Sequence, residues 1–226
     1  MLPRRAARLL GFLVAVLLVA PAAADAATLE PLKACYVSVT QTTREGIDVA
    51  GSGFTPSATV DLAVDGAVVR RVQADPAGRL PPHVLQAPHQ PKGQRAFSVT
   101  ATEEGNAANG VSLASNVTAL NLGVQPRRAR PSKRVVFRGR GFTGPAPVYA
   151  HYLFKGRVRR TVKLARGTTS PCGTFKARRR QIPVKHPRTG TWTLQVDQQR
   201  RYSRAPDSVF VRVSIVVQRV FRLRSR

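Results

Sequence analysis

Between residues 121 and 226 the chain has only two acids, Asp197 and Asp207, against 27 lysines and arginines. A working pair of carboxylates in this half would have to be these two, which excludes most acid–base chemistry from it. Asp197 closes a strand-like run and Asp207 sits in the loop-like "SRAPDS", so turn residue and arginine partner are their expected roles. Histidine is equally sparse. His83, His89, His151 and His186 are scattered without metal-ligand spacing, and neither Cys-x-x-Cys nor His-Glu-x-x-His occurs. There is no Gly-x-Ser-x-Gly. The glycine-rich "GSGF" (51–54) and "GRGF" (139–142) lack the helix and downstream acid of a nucleotide-binding loop. Asp61 and Asp65 alternate along a strand and are expected to be solvated. The chain is therefore expected to be no enzyme, with no catalytic residue, cofactor or metal.

Long apolar runs are missing too, with one exception. Leu9–Ala20 follows Arg4, Arg5 and Arg8 and precedes "PAAADAA". A charged start, a short apolar run and the small-residue site Ala24-Asp25-Ala26 describe a cleaved signal peptide over residues 1–26. The run falls short of the roughly 20 residues of a membrane span. "LKAC" (32–35) lies too far beyond it for lipidation, and Lys33 fits such a motif badly. The expected location is extracellular or at the cell surface. Cysteine is limited to Cys35 and Cys172. In an exported chain an isolated pair favours a disulfide, here one tying the two halves together; two separate buried thiols are the alternative.

The remaining chain divides by charge. Residues 27–120 hold seven basic and eight acidic side chains, net −1, whereas residues 121–226 carry a net +25 of the total +26. A high arginine content alone does not produce such a division, and it points to an anionic partner for one half.

The halves nevertheless echo each other. "GSGFT" (51–55) returns as "GRGFT" (139–143), Asp65-Gly66 as Lys155-Gly156, and Gly78 as Gly173. With a two-residue insertion late in the strand, Val60, Leu62 and Val64 match Val148, Ala150 and Tyr152. "PKGQRAFSVTATE" (91–103) matches "PRTGTWTLQVDQ" (187–198), which sets Trp192 against Phe97 in a core position. Both halves consist of short period-2 runs broken by turn residues, with no amphipathic helix. The expected fold is all-β, two tandem immunoglobulin-like β-sandwiches over residues 27–120 and 121–226. The glycines would turn the chain between strands, with Phe54 and Phe142 plugging the ends of the two cores.

"GSGFTPSATVDLAVDG…ADPAGRL" resembles the repeat of secreted actinobacterial proteins with Ig-like or IPT/TIG-like domains. The resemblance covers both halves, although the second departs from it after "GRGFTG" with Pro145 and Pro147. It implies binding or spacer modules and supplies no functional residues.

Candidate binding residues therefore come from the basic half. Alternation in "KRVVFRGR" sets Arg134, Arg138 and Arg140 opposite Val135 and Phe137. In "GRVRRTVKLARG" it sets Arg157, Arg159 and Lys163 opposite Val158, Val162 and Leu164. "KARRR" adds Lys176, Arg178, Arg179 and Arg180, and the C-terminal run adds Arg222, Arg224 and Arg226. Tyr149 and His151, with Leu153, stand where the first half has acids and form an expected stacking strip. The expected partner is an anionic envelope polymer or a lipid headgroup, bound by arginine forks. Sequence-independent nucleic-acid binding and a spacer with no specific ligand are the alternatives.

Overall fold

The computed structural model describes residues 26–205 and 209–218. The expected signal peptide up to residue 25, together with Asp207, Arg222, Arg224 and Arg226, lies outside the described residues. The fold is all-β. In chain order the first half forms β1 (Thr28–Leu29), β2 (Tyr36–Ser38), β3 (Gly46–Ser52), β4 (Thr59–Val64), β5 (Ala67–Gln73), β6 (Leu80–Gln86), β7 (Gln94–Glu103) and β8 (Asn106–Ala119). The second forms β9 (Asn121–Gln125), β10 (Arg134–Arg140), β11 (Val148–Phe154), β12 (Arg157–Ala165), β13 (Phe175–Arg180), β14 (Gly190–Asp197) and β15 (Val211–Val217). No helix occurs among the described residues.

Each half is an immunoglobulin-like sandwich with its own core. The first packs the sheet β1-β3-β6 on β2-β8-β7-β4-β5, and the second packs β9-β10-β13 on β12-β11-β14-β15. Inward residues at every second position build the cores. Ile47, Val49, Val60, Leu62, Val99 and Val117 lead the first, and Phe137, Ala150, Tyr152, Trp192, Leu194 and Val196 the second. The sequence pattern missed β6, whose "LPPHVLQ" places two prolines in a strand. β6 is an edge strand, where a missing N–H is tolerated.

The echoed glycine corner is the same structure twice. Phe54 and Phe142 are buried plugs. The Phe54 N–H donates to Gly78 O at 3.1 Å, and the Phe142 N–H to Gly173 O at 3.1 Å. A Cβ on Gly78 would lie 2.2 Å from Phe54 O, and one on Gly173 2.1 Å from Phe142 O, so only glycine fits either position.

Two details of the sequence alignment need correction. Asp65-Gly66 and Lys155-Gly156 make the same left-handed hairpin turn, with φ of 51° and 79° in one and 51° and 72° in the other. Counting ladder pairs back from these turns matches Val64 with Phe154, Leu62 with Tyr152 and Asp61 with His151. The two-residue insertion therefore precedes β11, near Pro145 and Pro147, and Trp192 takes the place of Val99. Both hairpins also carry a bulge, at Val69 in one and Arg159 in the other. One extra residue reverses the inside–outside alternation. Val158 therefore pairs with outward-facing Leu153 and is 38% exposed, not in the core.

Candidate anion-binding face

The cations converge on the outer face of the β9-β10-β13 sheet. In the β10–β13 register Arg134 lies opposite Arg180, Val136 opposite Arg178, and Arg138 opposite Lys176, all on the side away from Val135 and Phe137. Arg140 continues this row, half-buried at its end. The five outer cations are exposed. The Arg138 guanidinium donates to Gln125 Oε1 at 3.2 Å. None of the six makes an ion pair, and His151–Asp197 is the single ion pair of the second sandwich among the described residues. The positions of the first sandwich that match Arg134, Arg138, Arg140, Arg178 and Arg180, aligned on Gly51 and Gly139, hold Gly46, Ala50, Ser52, Val84 and Gln86.

Along a strand, alternate residues repeat about every 6.6–6.8 Å. Lys176, Arg178 and Arg180 repeat at this spacing on β13, while on β10 Val136 interrupts the row between Arg134 and Arg138; like charges stand directly opposite at Arg134–Arg180 and Arg138–Lys176. Such pairs destabilise a sheet.

At one end the face runs into a cleft of about 540 Å³ between the sandwiches, where Lys92, Gly93 and Ala119 of the first meet Arg138, Arg140 and Lys176 of the second. Sequence reading missed Lys92. It lies in the near-neutral half, and only the pairing of the halves brings it to the cations.

The disulfide makes that pairing covalent. Cys35 and Cys172 are bonded, with Cα atoms 5.1 Å apart, and both are buried. Cys35 immediately precedes β2. Cys172 lies at the glycine corner, where its carbonyl accepts the Gly141 N–H at 3.0 Å. A Cβ on Gly141 would stand 3.0 Å from Leu120 Cα and 3.4 Å from Val37 Cγ1, so this corner is where the two sandwiches touch.

The other expected cations are placed differently. Arg179 pairs with Val135 and so leaves the exposed row. Its guanidinium donates to Lys163 O at 3.4 Å and Leu164 O at 3.1 Å, lacing the edge of β13 to the edge of β12. The bulge splits the β12 row. Lys163 lies on the outer face beside Tyr149, Arg157 pairs with Phe154, and Arg159 is the extra residue. β12 belongs to the opposite sheet, so its cations face away from the β10–β13 ladder.

The expected stacking strip is closed. His151 and Leu153 are buried and Tyr149 is half-buried. His151 Nε2 donates toward Asp197 Oδ1 at 3.2 Å and Gln199 O at 3.1 Å, and its Nδ1 meets Thr161 Oγ1 at 2.9 Å. Tyr202 packs edge-on at 5.7 Å. Burial by itself would raise the Asp197 carboxyl, but hydrogen bonds from His151, Gln195 and the Gln199 N–H outweigh it and hold the group below the usual carboxylate range. Asp197 is thus the anchor of a buried network and not a turn residue. In the first sandwich Asp61, which takes the place of His151, is half-buried and pairs with exposed Arg71 at 2.7 Å, and Asp65 pairs with Arg95 at 2.8 Å.

No family model matches the chain, and no curated protein does. Among solved structures, Parabacteroides merdae β-glucuronidase overlaps 84% of this chain at 10% identity and TM-score 0.31, and the chain spans 24% of that enzyme. The fibronectin(III)-like modules of Clostridium thermocellum CbhA overlap 85% of this chain and 94% of theirs at 10% identity and TM-score 0.28. A Bacteroides ovatus protein of a mixed-linkage glucan utilization locus, solved with a mixed-linkage heptasaccharide, overlaps 86% of this chain and 48% of its own at 12% identity and TM-score 0.26. At these values the overlaps carry no argument about function.

Proposed function

We propose that this is an exported, non-enzymatic binding or scaffold module whose basic second sandwich associates with anionic cell-envelope polymers or lipid headgroups. The observation that carries the reading is the β10–β13 ladder. Arg134 faces Arg180 and Arg138 faces Lys176 with no carboxylate among them, a destabilising arrangement that an external anion would relieve. The regular row on β13, flanked by the cations of β10, suits a linear polyanion lying along the strands. Arginine supplies planar forks for its phosphates or carboxylates. The first sandwich, held by the disulfide, fixes the orientation of this face and adds Lys92 at its end.

The test is competition among teichoic-type polymer, anionic liposomes and DNA for the mature protein at two salt concentrations. Exposed charges are screened over about 10 Å at 0.1 M salt, so binding falls steeply with ionic strength. Replacing Arg134, Arg138, Arg178 and Arg180 by glutamine is expected to abolish most of it. Binding that ignores both salt and these substitutions overturns the reading, and preference for DNA over both envelope ligands would replace it with nucleic-acid binding.

A further inference from the structure

The two sandwiches are not equally closed. In the first, β2 pairs in parallel with the outer edge of β8, Tyr36 with Val117 through Ser38 with Ala119. In the second, among the described residues, β15 has β14 as its single partner and β9 has only β10. The connection that contains β2 in the first sandwich shrinks in the second to residues 126–133, "PRRARPSK". That segment is drawn toward β13, where the Gln181 N–H bonds Lys133 O and the Ile182 N–H bonds Pro131 O. Arg179 laces the β12–β13 side of the sandwich shut, whereas the β9–β15 side gapes.

The gap is a cleft of about 980 Å³. Consecutive residues line it on both sides, 121–124 from β9 and 213–218 from β15 and the residue after it. A sheet face would contribute alternate residues; consecutive ones mark exposed strand edges, with main-chain donors and acceptors presented to the gap. Core-side Val124, Val213 and Val217 are only partly buried there. Arg127, Arg128 and Arg130 join the lining, which contains no acid among the described residues.

We propose that this cleft is a strand-acceptor site that takes an extended acidic polypeptide of a partner protein, added in parallel to β15 as β2 is to β8. Main-chain hydrogen bonds along the free edge would supply affinity, as in strand addition generally. Apolar side chains at alternate positions would complete the core against Val124, Val213 and Val217. Acidic side chains between them would meet Arg127, Arg128 and Arg130. Polysaccharide and nucleic acid lack the amide ladder that such an edge recognises. The chain's own residues 219–226, "RVFRLRSR", repeat the charge of the lining.

The experiment titrates the mature protein with a synthetic nonapeptide of alternating valine and glutamate, and follows amide hydrogen exchange in the complex. Exchange is expected to slow in residues 121–125 and 211–217. Changing Arg127, Arg128 and Arg130 together to glutamine should weaken binding roughly tenfold, while glutamines at Arg134, Arg138, Arg178 and Arg180 should change it by less than roughly twofold. N-methylation of alternate peptide amides should abolish binding. Equal affinity of the N-methylated peptide overturns the proposal, as does protection confined to β10 and β13. If the peptide binds only after residues 219–226 are deleted, the cleft belongs to the chain's own tail and the partner is rejected.

Discussion

Asp197 Oδ1 lies 3.2 Å from His151 Nε2 with both side chains fully buried, on the outer face of the second sandwich's larger sheet. The segment 198–204 covers that face: Gln199 O meets His151, Ser203 O accepts from Gln195, and Arg204 O accepts from Arg212. Removing the carboxylate takes an acceptor from His151, Gln195 and the Gln199 N–H at once. Asp197→Ala is expected to destabilise by about 3 kcal/mol, the range for breaking a buried charged hydrogen-bond network, read by urea unfolding.

The same group sets an acid dependence. A carboxyl held below its ordinary value, here 3.8, stabilises the fold at pH above that value. The contribution is lost as pH falls through the lower folded value. Wild type should therefore lose its advantage over Asp197→Asn below about pH 4, and thermal midpoints of both proteins measured against pH would show the curves converge.

Tyr152 gives a prediction of opposite sign. Its hydroxyl is buried with no hydrogen-bond partner among the described residues, and burial pushes its pKa well above the usual tyrosine value. An unsatisfied buried hydroxyl costs about 1–3 kcal/mol. Tyr152→Phe should raise stability by about 1 kcal/mol, measured as a higher urea midpoint at unchanged slope. A loss of stability would mean that the hydroxyl has a partner.

The cation ladder couples stability to binding. Arg134→Gln with Arg178→Gln and Arg180→Gln removes the Arg134–Arg180 cross-strand repulsion, worth a few tenths of a kcal/mol, so the variant should melt at an equal or higher temperature while losing polyanion affinity. A variant that loses both would show that these side chains hold the sheet together and are not reserved for a ligand.

Reduction tests the staple. The Cys35–Cys172 bridge spans 137 residues of sequence, and on the chain-entropy model contributes about 5 kcal/mol. Denatured, unreduced protein should show no free thiol, and replacing both cysteines by serine should lower the melting temperature.

Much of this architecture is legible in the sequence, and the exceptions share a cause. The duplicated glycine corners and the hairpin turns are local patterns, and each has its expected structural counterpart. The disulfide follows from the scarcity of cysteine. The bulge at Arg159 is not legible, because one inserted residue in "GRVRRTVKLA" leaves a run that alternates plausibly in either phase. Alternation rightly put His151 on the outer face. Its burial depends on residues 198–204, which cover it from nearly fifty positions away. The open β9–β15 edge depends on the shortness of one connection, a property visible only beside its longer counterpart in the first sandwich.

The bridge between Cys35 and Cys172 also changes how the molecule would bear a load. A pull applied at residues 27 and 218 enters the first sandwich, reaches Cys35 within a few residues and crosses to Cys172 through a covalent bond. The chain from 36 to 171, about 470 Å if extended at roughly 3.4 Å per residue, is then outside the line of force. Nearly all of the first sandwich, and the part of the second up to β12, hang as an unloaded loop. Of the strands, only β1, β13, β14 and β15 lie in the tensioned path, so once β1 parts from β3 the rupture forces would report on the second sandwich alone until the bridge is reduced.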